Sequence, residues 1–291
     1  MSFFDIFRKK NPALQAELQR LKKNAITMET EIPEGVLPPD ACKIGGKPFL
    51  PADFVWPEFT GKEDGISRPL SFFCQLNLSV LASMDSEKLL PAKGILSFFY
   101  ECESFCWGFD PEDKGAARVF YFADTTGFVP FDIPQTLDEA YVIPELAISF
   151  RSGSSYPRFE EFEIHSGMEC DWEEYDRVLA KLGVDTEEES EEHKILGYAD
   201  IIQNEMLTEC ERTTRGLYCG DPESYRNTPE AETADIQEKA KDWTLLLQLS
   251  TIQKGDFEWM FGDCGMLYYY IRKEDLANKC FENTWFSLQC G

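Results

Sequence analysis

Short apolar runs, punctuated by glycine and proline, recur along this chain in an order that repeats. Lys43-Ile44-Gly45-Gly46 is followed by LSFFCQL at residues 70–76 and GILSFFY at 94–100. The second half reads Lys194-Ile195-Leu196-Gly197, then TLLLQL at 244–249, then GMLYYY at 265–270. Gln75 and Gln248 hold the same place in their runs. Runs of this length, punctuated by glycine and proline, predict strands. Residues 117–122 and 147–151 add two more candidates. The pattern predicts a β-rich α+β fold. An internally duplicated β unit would form roll or sandwich-like sheets with peripheral helices.

Helical spacing is confined to a few segments. Asn11-Pro12 reads as an N-cap followed by a first-turn proline. Leu14, Leu18, Leu21 and Ala25 then share one face, predicting a helix over 12–25. Residues 171–182 form a second candidate, acidic at its start, basic later and closed by Gly183. Residues 185–192 are a charge block expected to be a solvated linker. Residues 83–89 read as a short helix or turn. The second half is longer than the first by an insertion within 204–242, which holds residues 205–212, a loop at 220–222 and an expected helix near 230–241, with a surface position for the whole. Prolines 48, 51 and 57 exclude a central strand and predict a rigid, aromatic-bearing loop pinned to a sheet. The organisation expected is a basic helical segment at 1–32 and one body at 33–291. The body holds two repeats, at about 43–160 and 194–291, joined by an acidic helical linker.

Charge narrows the partners. The chain of 291 residues has a net charge of −25. That argues against nucleic acid, whose binding is driven by Lys and Arg, and favours steering of a basic protein partner. Residues 1–23 run the other way, with six basic against two acidic side chains. This amphipathic helix is the one candidate for a membrane surface. The alternative is that its leucines pack on the protein's own body. No run of about 18 apolar residues is present, and the first residues lack the pattern of a secretory signal. A cytoplasmic protein is expected. Ten cysteines without a Cys-x-x-Cys pair, and only His165 and His193 beside them, predict reduced thiols, no metal and no cofactor. Both histidines stand in acidic segments and are expected to be exposed.

Several blocks together resemble the YwqG-like family of uncharacterised bacterial proteins. Gly45-Gly46-Lys47-Pro48 with Leu50-Pro51 and Trp56-Pro57 resembles its opening motif. Residues 69–77, Leu196-Gly197-Tyr198 with Asp200 and Gln203, Trp243 with 245–248, and Gly262-Asp263 before Gly265 resemble its later blocks. Ala199, Phe261 and Ser250 depart from the usual proline, tryptophan and acid. The resemblance implies a β-rich duplicated fold and no activity.

Four residues stand out as ligand-binding candidates. Gln75 and Gln248 place an amide inside an apolar strand, which is costly unless both ends of the amide are paired. They bind a ligand's polar edge, or each fixes a loop of its own repeat. Asp263 is a general base or a turn residue before the following strand. Trp56 lines a pocket or belongs to the core. Two function classes follow. The first is a non-catalytic binding protein for a protein or small ligand, such as one neutralising a basic effector. The alternative is an enzyme with a carboxylate-based site around Asp263 and the two glutamines. No residue carries a catalytic motif.

Overall fold

A computed structural model describes residues 11–104, 106–184 and 192–291. Most of the charge block, 185–191, lies outside the described residues, as do Arg8, Lys9 and Lys10. The first half contains β1 (Lys23–Glu31), β2 (Lys43–Ile44), β3 (Phe49–Pro51), β4 (Glu58–Thr60), β5 (Ser67–Pro69), β6 (Ser71–Asn77), β7 (Ile95–Tyr100), β8 (Ala117–Phe122), β9 (Phe128–Pro130) and β10 (Leu146–Ser155). The second contains β11 (His193–Ile195), β12 (Trp243–Ser250), β13 (Ile252–Lys254), β14 (Phe257–Trp259), β15 (Met266–Arg272) and β16 (Trp285–Gln289). The helices are α1 (Pro12–Leu21), α2 (Leu78–Leu81), α3 (Phe159–Ser166), α4 (Trp172–Lys181), α5 (Leu207–Thr214), α6 (Pro222–Asn227), α7 (Glu230–Ala240) and α8 (Lys273–Asn278).

Ten strands form one antiparallel sheet in the order β16-β15-β12-β11-β1-β10-β2-β6-β7-β8. Reading outward from the central pair β1 and β10, the two wings carry the same succession. β2 and β6 answer to β11 and β12, and β7 and β8 answer to β15 and β16. Lys43 pairs with Gln75 as Lys194 pairs with Gln248. Each long strand has a bulge at the matching place, between Phe72 and Cys74 in β6 and between Leu245 and Leu247 in β12. The residue inside each bulge accepts a matching backbone bond, Phe73 from the Gly45 N–H and Leu246 from the Leu196 N–H.

The sheet is curled, nearly closed, and brings its wings face to face. Phe98 of β7 meets Tyr269 of β15 edge to face at 5.2 Å, and Tyr100 meets Phe286 of β16 at 5.7 Å. The Tyr269 hydroxyl donates to the Phe99 carbonyl across the interior. Alternation along β15 sends Leu267, Tyr269 and Ile271 into this core, and Met266, Tyr268 and Tyr270 outward to a second one. The insertion between β11 and β12 covers that second face, because Leu207 and Cys210 of α5 and Ala240 of α7 pack on Trp243, Tyr268 and Tyr270. It is therefore a core layer rather than the surface decoration expected. On the other wing, Phe54 and Trp56 of the proline-rich loop pack on Phe99.

The N-terminal segment differs from the expectation in one important respect. Asn11 caps α1 by accepting from the Leu14 N–H, and Leu14, Leu18 and Leu21 are buried against Phe162, Tyr175, Val178 and Leu179. The helix ends at Leu21, not near residue 25. Residues 23–31 form β1, paired with β10 over nine residues and with β11 on its other side. The 1–32 segment thus supplies a central strand of the sheet. β-branched Ile26, Thr27 and Thr30 favour that state, and Ala25, assigned to the helical face, is buried in the sheet instead.

The histidines also differ from expectation. His193 is buried because β11 lies between β1 and β12, and its Nδ1 accepts from the Ser250 N–H at 3.0 Å. The His165 side chain is covered too, with Nε2 at 3.6 Å from Glu161. The ten cysteines are unpaired. No helix among the described residues is long and apolar enough to cross a membrane.

Candidate functional site

The two glutamines are fully buried and fully occupied. Gln75 Oε1 accepts from the Phe49 N–H at 2.7 Å, and its Nε2 donates to the carbonyls of Pro39 and Ala41 at 2.9 and 2.8 Å. Gln248 Oε1 accepts from the Asp200 N–H at 2.8 Å, and its Nε2 donates to the Glu192 carbonyl at 2.9 Å and to Asp200 Oδ2 at 2.8 Å. The correspondence is residue by residue. Phe49 follows Lys43 by the same interval as Asp200 follows Lys194, and Ala41 precedes Lys43 as Glu192 precedes Lys194. Each amide clamps the backbone on either side of its short strand. The chain between turns through left-handed residues, Gly45 and Gly46 in one wing and Leu196 and Gly197 in the other. A Cβ on Gly45 would collide with the carbonyls of Ile143 and Pro144. Leu196 carries a side chain there, buried in the core, at the expense of about 1–2 kcal/mol of backbone strain.

The other candidates stand apart. Asp263 is exposed in the turn bounded by the Phe261–Gly265 bridge, and its carbonyl accepts from the Gly291 N–H. It takes no part in either glutamine's bonds. Trp56 donates its Nε1–H to the Leu70 carbonyl at 2.8 Å and meets the edge of Phe99 at 5.2 Å. Gln75, Gln248, Asp263 and Trp56 therefore do not converge on one cavity. Among the described residues no group of three or more His, Cys, Asp or Glu is placed to hold a metal ion.

Buried charge is concentrated in the second wing. Burial pushes the Asp200 carboxyl up, but Lys194 at 2.6 Å, the Gln248 amide and Arg158 at 3.5 Å hold it below the usual range. Burial pushes Glu209 up to about 7, with Glu205 adding to the shift and the Ser287 hydroxyl opposing it. Burial holds the His193 imidazolium down to about 4, with Lys254 contributing. A small cavity of about 210 Å³ adjoins Asp200. Its Lys194 and Arg158 are both spent on that carboxylate.

A different cavity gathers cations. It measures about 410 Å³ and lies where the start of β1, the loop before β7, β12 and α8 meet. Leu89, Leu90, Pro91 and Leu276 give it an apolar lining. Lys23, Lys88, Lys273 and Lys279 also line it, with Glu87 as the one acid. Glu87 is engaged, its carboxylate accepting from the Asn24 N–H. Among the described residues none of the four lysines is in an ion pair. Lys273 donates to the Lys241 carbonyl, and Lys23 Nζ lies 4.0 Å above the Tyr198 ring. Lys88 and Lys279 sit at φ 56° and 62°, left-handed positions that disfavour side chains. Burial holds Lys23 down to about 8, with Lys273 pushing the same way and Glu161 and Glu87 opposing. Four lysines around one apolar hollow, on a chain of net charge −25, are a local inversion of the protein's field. The sequence pattern missed this site because the four come from three separated stretches and follow no spacing. The arrangement can hold an anionic group against the lysines and an apolar body against the leucines.

No curated protein matches the chain. A family model described as "Domain of unknown function (DUF1963)" matches residues 42–290. Its matched span takes in both glutamines and three of the four cavity lysines, while Lys23 and the Pro39 and Ala41 acceptors of Gln75 precede it. The chain belongs to this family of unknown function, DUF1963.

Proposed function

We propose that this protein is a non-catalytic binding protein, and that its ligand is a small molecule with a carboxylate or phosphate and an apolar part. The observation that carries the reading is the cavity lined by Lys23, Lys88, Lys273 and Lys279, none of them in an ion pair among the described residues. Its volume lies within the usual range of ligand sites, about 300–1,000 Å³. In a strongly acidic protein, unneutralised lysines facing an apolar hollow are complementary to an anion and selective against cations. The reading makes Gln75 and Gln248 fasteners of an internally duplicated, YwqG-like β unit, supported by their matching bonds. The enzyme reading around Asp263 has less support, since that carboxylate is exposed and away from both amides. Ten unpaired cysteines suit a reducing cytoplasmic setting.

The test uses 8-anilinonaphthalene-1-sulfonate, an apolar anion, against its uncharged analogue N-phenyl-1-naphthylamine. The acidic surface repels the sulfonate elsewhere, so one saturable site is expected, weakened by salt. Lys88→Ala and Lys279→Ala should each weaken binding about fivefold, corresponding to about 1 kcal/mol per charge. Binding that is indifferent to both substitutions, or equal for the neutral dye, would overturn the reading.

A further inference from the structure

We propose that Lys23 is a nucleophilic lysine, which forms a covalent imine with an aldehyde or ketone carried by an anionic ligand in this cavity. The inference rests on the binding reading above and goes beyond it by assigning a bond-forming residue. Three features of the geometry carry it. First, Lys23 lines the cavity, and among the described residues its amine has neither a hydrogen-bond acceptor nor an ion-pair partner. Its close neighbour is the face of Tyr198, which leaves the nitrogen lone pair uncommitted once the proton is gone. Second, its backbone is fixed at the head of β1, paired with Ser155, so the stem starts from a rigid element. Third, Lys88 and Lys279 supply charge for a ligand's anionic end, leaving its carbonyl free to approach Lys23.

The electrostatics support the geometry. The groups facing Lys23 come from several elements: Glu161 of α3, Lys273 of α8, Glu87 of the loop, and Tyr198. Both acids are otherwise engaged. Glu87 accepts from the Asn24 N–H, and Glu161 lies near the Tyr270 hydroxyl and His165. Burial and Lys273 prevail, and the amine is held down to about 8. About a fifth of it is then neutral at pH 7.4, against about a thousandth for an ordinary lysine. Desolvation beside another cation is a recognised way to activate a lysine.

The step balances without an oxidant or reductant. The neutral Nζ attacks the carbonyl carbon, forming a C–N bond and a carbinolamine. One amine proton moves to the carbonyl oxygen in that addition; the second leaves with the hydroxyl as water when the C–O bond breaks, and a C=N bond results. Hydrolysis reverses it.

Pyridoxal 5′-phosphate, an aldehyde bearing a phosphate, is the probe. The full chain is incubated with it, reduced with sodium borohydride and mapped by peptide mass spectrometry. One equivalent is expected on Lys23, with half-maximal labelling rate near pH 8. Labelling should be at least fivefold slower with pyridoxal, which lacks the phosphate, and in Lys88→Ala/Lys279→Ala. Lys23→Arg should lose the adduct. The wild-type map decides the matter even if a variant fails to fold. Label scattered over surface lysines, or placed on Lys88, Lys273 or Lys279 with Lys23 unmodified, would overturn the assignment. If the sulfonate dye binds but Lys23 stays unlabelled, the imine falls alone. If neither probe binds, both readings fall.

Discussion

Replacing Gln248 with leucine should destabilise the protein more than replacing Gln75, despite their matching positions. Leucine keeps an apolar strand position filled, so the gain from burying a larger apolar side chain is similar in both variants and cancels in their difference. What remains is the set of partners left behind. In Gln75→Leu the half-buried Phe49 N–H loses its acceptor, while Pro39 is exposed and Ala41 half-buried, so water can reach their carbonyls. The expected loss is about 1–3 kcal/mol. In Gln248→Leu the buried Asp200 N–H loses its acceptor, and the Asp200 carboxylate loses a donor as well. A hydrogen bond to a charged group is worth about 1.5–3 kcal/mol, so the second variant should be less stable than the first by about 2 kcal/mol. Urea denaturation of both single variants at pH 7, with unchanged m-values, measures the gap. An Asp200→Asn background tests its origin, because the coupling between positions 200 and 248 should be about 1–2 kcal/mol. Equal losses for the two glutamines, or a Gln248→Leu variant as stable as wild type, would refute the reasoning and return the amides to the list of ligand contacts.

Two pH effects of opposite sign should also be measurable. His193 is held down to about 4, so the unfolded chain takes up its proton first. Stability should fall as pH drops from about 6.5 towards 4, by up to about 3 kcal/mol, and urea midpoints should show this loss reduced in His193→Asn. Glu209 is raised to about 7, so the folded chain holds its proton longer than the unfolded one. Its contribution should fall as pH rises from about 4.5 to 7, and Glu209→Gln should gain relative to wild type over that window, reaching about 3 kcal/mol above it. A stability difference between Glu209→Gln and wild type that is flat with pH would count against the buried-carboxyl account.

The amino-acid pattern by itself determined the long strands. β6, β7, β12 and β15 are buried along nearly their whole length, and such burial demands uninterrupted apolar runs that are visible without coordinates. It determined the docking face of α1, since Leu14, Leu18 and Leu21 lie on one helical stripe. It also marked Gln75 and Gln248, because a lone amide in an apolar run needs partners. Tertiary structure decided what depends on non-local pairing. Lys23–Glu31 becomes a strand because β10 and β11 flank it, and the preceding helix stops short to allow this. His193 is buried because its three-residue strand lies between β1 and β12, though its own neighbours in sequence are charged. The lysine cavity is the extreme case. Lys23, Lys88, Lys273 and Lys279 meet because the sheet curls and brings α8 against the loop before β7 and the start of β1. No local pattern encodes such a meeting, since the energy that makes it comes from the core beneath and not from the lysines themselves.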